Sequence, residues 1–416
     1  MSARIAIFAL GSRGDVEPFL ALALMLKSRG HDVVLAAPDD FRGMVGRYGI
    51  EFASIGSTIR DMLDLPDTRK AIAGNPLAIV KTAREQALPM IEGALDALEA
   101  NGFDADVLIH HPKVMGVSDL AEATGALVVC ASPVPVEATA EFPILTSSRD
   151  LGALNKASWL PLKGARWIYR DSLRSWRDTL GLKPKWSPQD GTDAVFGAHM
   201  TLVATSKYVL PKPRDWSPNT FVTGYWRLPP DTEWTPDPNI VSFLEDGPPP
   251  IYIGFGSMPV PEELSDMIAG ALVYSSARAI VSAGWSGLSV KSDYALNIGS
   301  VPHDWLFQRV AGVVHHGGAG TTAAGLRAGQ PTLICPAGVD QPFWGRRVQR
   351  LGCGPEPLPM SAMERDTLAE RIRATLRTAR YQQTSKALGL RIQGEDGLTR
   401  SADLIEATLA ARRPPR

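Results

Sequence analysis

The stretch His315-His316-Gly317-Gly318-Ala319-Gly320-Thr321-Thr322 decides the fold. The apolar residues 311–314 lead into it and predict the end of a buried strand. Residues 323–329 lead out of it and predict a helix. Glycines at 317, 318 and 320 make a strand-to-helix turn where backbone can approach a ligand closely. The helix start then offers unpaired N–H groups and the positive end of a dipole, a ready-made anion site. Thr321 and Thr322 can add hydroxyl donors, and His316 an imidazole N–H. After the next strand, Asp340-Gln341 forms a second polar element beside it.

Outward from this turn, the chain reads as two series of alternating strands and helices. Residues 5–10 and 33–37 are continuous apolar runs, as in parallel strands covered on both faces, and further strands are expected near 52–55, 106–109 and 126–130. A helix is predicted from Pro18 to Arg29, ending at Gly30. After two more strands, at 201–204 and 221–224, a proline-dense linker covers 228–250. A second series follows, with strands at 251–254, 279–282, 295–298, 313–314 and 332–335. This rhythm predicts an α/β chain of doubly wound parallel sheets. The expected division is 1–227, the linker 228–250, a second domain 251–397, and a C-terminal helix and tail 398–416.

Composition excludes several classes. With 44% hydrophobic and 21% charged residues, the chain reads as an ordinary globular protein. A net charge of -1 gives no basic surplus for nucleic acid. Cys130, Cys335 and Cys353 are scattered, which predicts a reducing compartment, no disulfide framework and no metal-ligand spacing. Met1-Ser2-Ala3-Arg4 runs straight into a strand without the features of a signal peptide, and no apolar stretch is long enough for a bilayer. A cytoplasmic location is expected, with a transient contact at a membrane surface left open.

Ligands of such sheets bind beyond the carboxyl ends of the strands, so the two sheets are expected to face one cleft. The first-domain loop there is Gly11-Ser12-Arg13-Gly14-Asp15-Val16-Glu17-Pro18. It is not a dinucleotide fingerprint, and the His315–Thr322 turn is not a P-loop. Pro18 suits the first helical position, which puts Glu17 at the cap and leaves Asp15 in the loop. A carboxylate there can take a proton from a hydroxyl. His110-His111, at the end of another strand, is a second base candidate whose plainer reading is structural or acceptor contact. Residues 133–187 carry Trp159, Trp167, Tyr169 and Trp176, which read either as core or as the wall of an apolar pocket.

These residues carry a resemblance. Gly11-Ser12-Arg13-Gly14-Asp15-Val16-Glu17-Pro18, Gly254-Phe255-Gly256-Ser257-Met258, Val301-Pro302-His303-Asp304-Trp305-Leu306-Phe307, the HHGGAGTT stretch and Pro336-Ala337-Gly338-Val339-Asp340-Gln341 occur in that order along the whole chain. They resemble the nucleotide-sugar-dependent glycosyltransferases of the GT-B fold. The branch is that of sterol glucosyltransferases and the bacterial enzymes that glycosylate antibiotic aglycones. The resemblance implies two Rossmann-like domains, the first for the acceptor and the second for the donor. It implies a pyrophosphate site at Ser257, His316, Gly317, Gly318, Gly320 and Thr321, with His316 also serving catalysis. It implies a nucleobase segment at Val301 and Pro302 with His303 beside them, where many relatives carry glutamine. Asp340 and Gln341 match the pair that holds the sugar hydroxyls. Asp15 stands where many relatives carry a catalytic histidine, and Gly11, Ser12, Arg13 and Gly14 belong to the same loop. With donor motifs filling the second domain, the acceptor falls to the first, with His110, His111, Phe142, Trp159, Trp167 and Trp176 as expected contacts.

Fixed N–H donors at a helix start stabilise charge on a leaving diphosphate without a metal. The resemblance implies inverting transfer of a hexose, glucose by default, from a UDP- or dTDP-sugar to a lipophilic hydroxyl with no cofactor, and the fixed donors add the expectation of no metal. Two other classes fit parts of the pattern: a sugar-nucleotide epimerase and a nucleotide-sugar-binding protein without catalysis.

Overall fold

The computed structural model describes residues 2–56, 58, 88–160, 169–183, 197–256, 260, 263–284 and 287–412. The chain divides into two compact units. The first holds Met1–Ile144, Arg149–Pro229 and Asp396–Arg416; the second holds Leu145–Ser148 and Pro230–Glu395.

The first unit is built on a seven-stranded sheet. Its strands are β1 (Arg4–Phe8), β2 (Asp32–Ala37), β3 (Glu51–Ser54), β4 (Val107–His110), β5 (Leu127–Ser132), β6 (Met200–Val203) and β7 (Thr220–Val222). Their order is β3-β2-β1-β4-β5-β6-β7, and every pair is parallel. Continuous apolar runs such as Ile5-Ala6-Ile7-Phe8 are wholly buried because helices cover both faces. The strand order reverses between β1 and β4, where Phe8 pairs with His110. In open parallel sheets this reversal opens the crevice in which ligands bind.

The helix after β1 runs Arg13–Ser28, five residues longer at its start than expected. Ser12 is its N-cap and Asp15 its third residue. Pro18 therefore lies inside the helix, and Asp15 is not a loop residue. Pro18 is tolerated there because it stands only six residues in, where the one N–H it lacks would have bonded Gly14.

The second unit carries β8 (Ile251–Gly254), β9 (Ala279–Ser282), β10 (Ala295–Ile298), β11 (Gly312–His315) and β12 (Thr332–Ile334). Their order is β10-β9-β8-β11-β12, again all parallel. The reversal falls between β8 and β11, where Gly254 pairs with His315. Among the described residues, no helix is long and apolar enough to cross a membrane.

The C-terminal helix, Gly397–Arg412, is part of the first unit. Ala402 and Ile405 join that unit's core. The Trp226 indole N–H donates to Ser401 Oγ at 2.9 Å, while its ring packs edge-on against Phe19. Arg29 reaches Asp403 at 2.6 Å and Glu406 at 2.8 Å. The buried contact outweighs the ionic one, because Asp403 is mostly exposed and surface pairs are worth about 0–1 kcal/mol. Trp226→Ala is expected to destabilise the protein by about 3–5 kcal/mol, whereas Arg29→Ala costs about 1 kcal/mol or less. Urea unfolding of the two variants measures the contrast; equal losses would make the ion pairs the fastening.

Candidate active site

Both strand reversals gather polar groups. At the first, Asp15 and His111 come together although 96 positions apart, because β1 and β4 are neighbours. Asp15 Oδ2 accepts the Ser12 backbone N–H at 2.8 Å and the Ser12 hydroxyl at 3.2 Å, which is the return half of a capping box. The ammonium of Lys113 stands 3.1 Å from the same oxygen. His111 Nε2 lies 3.3 Å from Oδ1.

The tautomer of His111 follows from its other nitrogen. Nδ1 accepts the Lys113 backbone N–H at 3.2 Å, so in the neutral ring the proton sits on Nε2 and points at Asp15. Burial pushes the His111 pKa below its ordinary value against the opposing pull of Asp15. At neutral pH the ring is thus a neutral donor, with its basic nitrogen turned to backbone. Burial alone would raise the Asp15 carboxyl, but the Lys113 charge and the His111 hydrogen bond prevail and hold it well below the usual carboxylate range. The Asp15 side chain is 19% exposed, so solvent reaches it. His110 is buried and engages the His111 carbonyl through Nδ1 at 3.1 Å. Gly11 stands in the turn before the helix and Gly14 in its first turn, and Arg13 pairs with Glu17 at 2.7 Å.

At the second reversal, β11 ends in His315 and the chain turns into the helix Ala319–Arg327. Gly317 has φ 97°, and a Cβ there would meet Ile334 at 2.6 Å and Gln341 at 3.2 Å. A Cβ on Gly318 would meet His316 Nε2 at 2.6 Å. The turn is therefore closed to any side chain at these two positions. Gly318 caps the helix, and as a glycine it has no side chain to satisfy the helix's first N–H groups. Gly320 is exposed and Thr321 partly so. Thr322, expected as a donor, is buried and its hydroxyl donates to Gly318 O at 2.9 Å. It holds the turn rather than a ligand.

Among the described residues, buried His316 Nδ1 has no hydrogen-bond partner, and burial pushes the ring's pKa down to about 4. Buried His315 accepts the Gly317 N–H on Nδ1 at 3.0 Å, and is pushed well below its ordinary pKa by burial, with His316 and His303 adding repulsion. Both imidazoles are neutral at pH 7. His303 stacks on Phe307 at 4.5 Å, with partly buried Val301 nearby in sequence packed on the same core.

Asp340 precedes the helix Gln341–Arg350, and its Oδ2 accepts the Trp344 indole N–H at 2.7 Å. Gln341 is buried; its Oε1 accepts the N–H groups of Ala337 at 2.7 Å and Gly338 at 3.2 Å. That oxygen is committed to its own loop. Val339 between them adopts φ 57°, a left-handed conformation that costs a β-branched residue about 1–3 kcal/mol.

Of the aromatic residues expected at the acceptor, Phe142, Trp159 and Trp176 lie in the interior. Trp159 is buried and donates its N–H to Phe142 O at 3.3 Å; buried Trp176 donates to Gly116 O at 3.0 Å. Phe142 is buried against Trp159 and Trp216. With both indole N–H groups satisfied by backbone, Trp159 and Trp176 read as packing, as does Phe142 between its aromatic neighbours. Trp167 and Ser257 lie outside the described residues. The contacts that sequence reasoning missed are Lys113, two positions after His111, and Trp344, one helical turn after Asp340. The second follows from i, i+4 spacing; the first needs the fold.

Residues 5–143 match the glycosyltransferase family 28 N-terminal domain, and residues 287–393 match the C-terminal domain of the erythromycin biosynthesis protein CIII-like family. The fold and these two domains define a glycosyltransferase of the GT-B class. Within that class, the chain belongs to the family that joins sterol glucosyltransferases to bacterial glycosyltransferases of antibiotic aglycones. A sterol 3-beta-glucosyltransferase of Arabidopsis thaliana is 34% identical to it, over 99% of this chain and 69% of that protein. The O-mycaminosyltylonolide 6-deoxyallosyltransferase of Streptomyces fradiae is 32% identical, over 97% of both. The solved calicheamicin glycosyltransferase has the same fold, with a TM-score of 0.73 and 17% identity over 99% of this chain and 100% of that one. Membership sets aside the epimerase and the purely binding protein.

The charge of Asp15 has a consequence for stability. A carboxyl that binds its proton less tightly when folded adds stability above the unfolded pKa of about 3.9. That contribution is lost as pH falls through the lower folded value. Asp15→Asn is expected to be less stable than the parent at pH 7, with the gap closing in acid. Urea unfolding at both pH values checks this; a gap independent of pH would mean the carboxylate charge contributes nothing.

Proposed function

We propose that this glycosyltransferase moves a hexose, glucose by default, from a UDP- or dTDP-sugar to a hydroxyl of a lipophilic acceptor such as a sterol or polyketide. Transfer inverts the anomeric centre, needs no metal and uses Asp15 as base. The observation that carries the reading is Asp15: an ionised, solvent-reachable carboxylate at a strand reversal, backed by a neutral His111. Oδ2 already accepts three donors, so Oδ1 is the oxygen with capacity for the proton of the acceptor. As the acceptor oxygen attacks the anomeric carbon, its proton passes to Oδ1 and the bond to the diphosphate breaks. An α-linked donor then yields a β-glycoside.

In the second unit, the uncapped N–H groups at Ala319–Arg327 and the His316 imidazole supply positive potential for the diphosphate as it leaves. That is the support for metal-independent chemistry. Val301, Pro302 and His303 receive the base, Ser257 adds a pyrophosphate contact, and Asp340 with the amide of Gln341 orients the sugar. A cytoplasmic setting, where sugar nucleotides are made, suits this reaction.

Three measurements test the reading. Asp15→Asn is expected to lower turnover by about 10²–10⁴-fold, with diphosphate affinity unchanged; normal turnover would remove Asp15 as base. Transfer from UDP-glucose and dTDP-glucose to a panel of sterols, polyketides and flavonoids, followed by mass spectrometry, is expected to continue at full rate in excess EDTA. His316→Ala is expected to weaken UDP or dTDP by about 1.5–3 kcal/mol in calorimetry. Because phosphate favours the protonated ring, binding raises a pKa that starts near 4. The loss in His316→Ala should therefore be larger at pH 5.5 than at pH 8, and a loss flat in pH would place no proton on His316.

A further inference from the structure

Lys113 has so far been given no part in transfer, yet its ammonium is 3.1 Å from Asp15 Oδ2. It enters from the turn after β4, on the opposite side of the strand reversal from the helix that carries Asp15. The loop has left room for this pair. Gly11 has φ 137°, and a Cβ there would fall 2.2 Å from Asp15 Oδ2 and 2.7 Å from Lys113 Nζ. The carboxylate and the ammonium together fill the space above a glycine that can carry no side chain.

We propose that Lys113 is a positioning residue for transfer: its ammonium pins Asp15 Oδ2, turns Oδ1 to the acceptor and sets a positive charge beside the carboxylate. This rests on Asp15 being the base. Among the described residues, the other groups around the carboxylate cannot supply the charge. His111, from the end of β4, is a neutral donor. Ser12, from the helix start, offers only dipoles. Arg13, on that helix, is turned to Glu17. The Lys113 side chain is half exposed, so its removal opens no cavity in the core. The same lysine also fixes the His111 tautomer through its backbone N–H, which a side-chain substitution leaves in place.

Two readouts on the full chain separate this role from a structural one. In the first, aspartate is labelled with ¹³C at Cγ, and the Asp15 resonance is assigned by its loss in Asp15→Asn. Lys113→Met, with Lys113→Gln as a second variant, is expected to raise the Asp15 titration midpoint by about 1–3 pH units, the usual effect of a close opposite charge. Lys113→Arg should restore the parent midpoint. In the second, the acid limb of kcat/KM is followed with UDP-glucose and dTDP-glucose, using cholesterol and kaempferol as acceptors. It should move upward with the same variants and return with arginine. A midpoint that stays within a few tenths of a unit in Lys113→Met and Lys113→Gln overturns the proposal. Full transfer by Asp15→Asn would instead overturn the assignment of the base, while the NMR titration still reports whether Lys113 controls Asp15.

Discussion

Parallel pairing at two strand reversals is the constraint on which this molecule depends. Phe8 pairs with His110, and Gly254 pairs with His315. Each pairing sets the carboxyl ends of two sequence-distant strands side by side, with helices leaving in opposite directions around the gap between them. The first gap brings an acid, an imidazole and an ammonium together over a glycine. The second sets an open helix start beside two neutral imidazoles. Neither site needs a special element; each follows from where a doubly wound sheet has backbone to spare.

The two sites are built differently. The first is polar and cross-linked by side chains, so its geometry is set by hydrogen bonds among groups that also titrate. The second is set by close packing. Gly317 lies against Gln341, Gln341 holds the Ala337 and Gly338 amides, and Trp344 holds Asp340. A change in protonation would alter the hydrogen bonds that shape the first site, whereas the shape of the second is held mainly by volume, even though His316 there can take a proton. The strained Val339 sits in the same tightly held loop.

Much of the fold was legible because buried parallel strands are continuous apolar runs. Strands β1, β2, β5, β8 and β11 all fall where those runs stand. The start of the first helix was misplaced for an identifiable reason. Pro18 suggested a helix start, but Ser12-Arg13-Gly14-Asp15 is itself a capping-box spacing, and two satisfied backbone groups outweigh one missing N–H near the end. The second site was legible locally, since its turn and helix are contiguous. Lys113 beside Asp15 was not, because 98 positions separate them and only the β1–β4 pairing brings them together. The aromatics of 142–176 were ambiguous in principle: core packing and a pocket wall leave the same spacing. Satisfied indole N–H groups and near-complete burial decide for packing in Trp159 and Trp176.

The return of Gly397–Arg412 to the first unit makes the body of the second unit, Pro230–Glu395, an insertion within the first. Synthesis from the ribosome therefore delivers the parts out of order. The seven-stranded sheet is translated first, but the surface formed by Phe19, Trp226 and its neighbours waits for a helix that is made only after the second unit. The inserted unit has its own core and can fold in that interval. Until residue 412 has left the exit tunnel, the nascent first unit carries an uncovered apolar strip, the period in which a chaperone has most to hold.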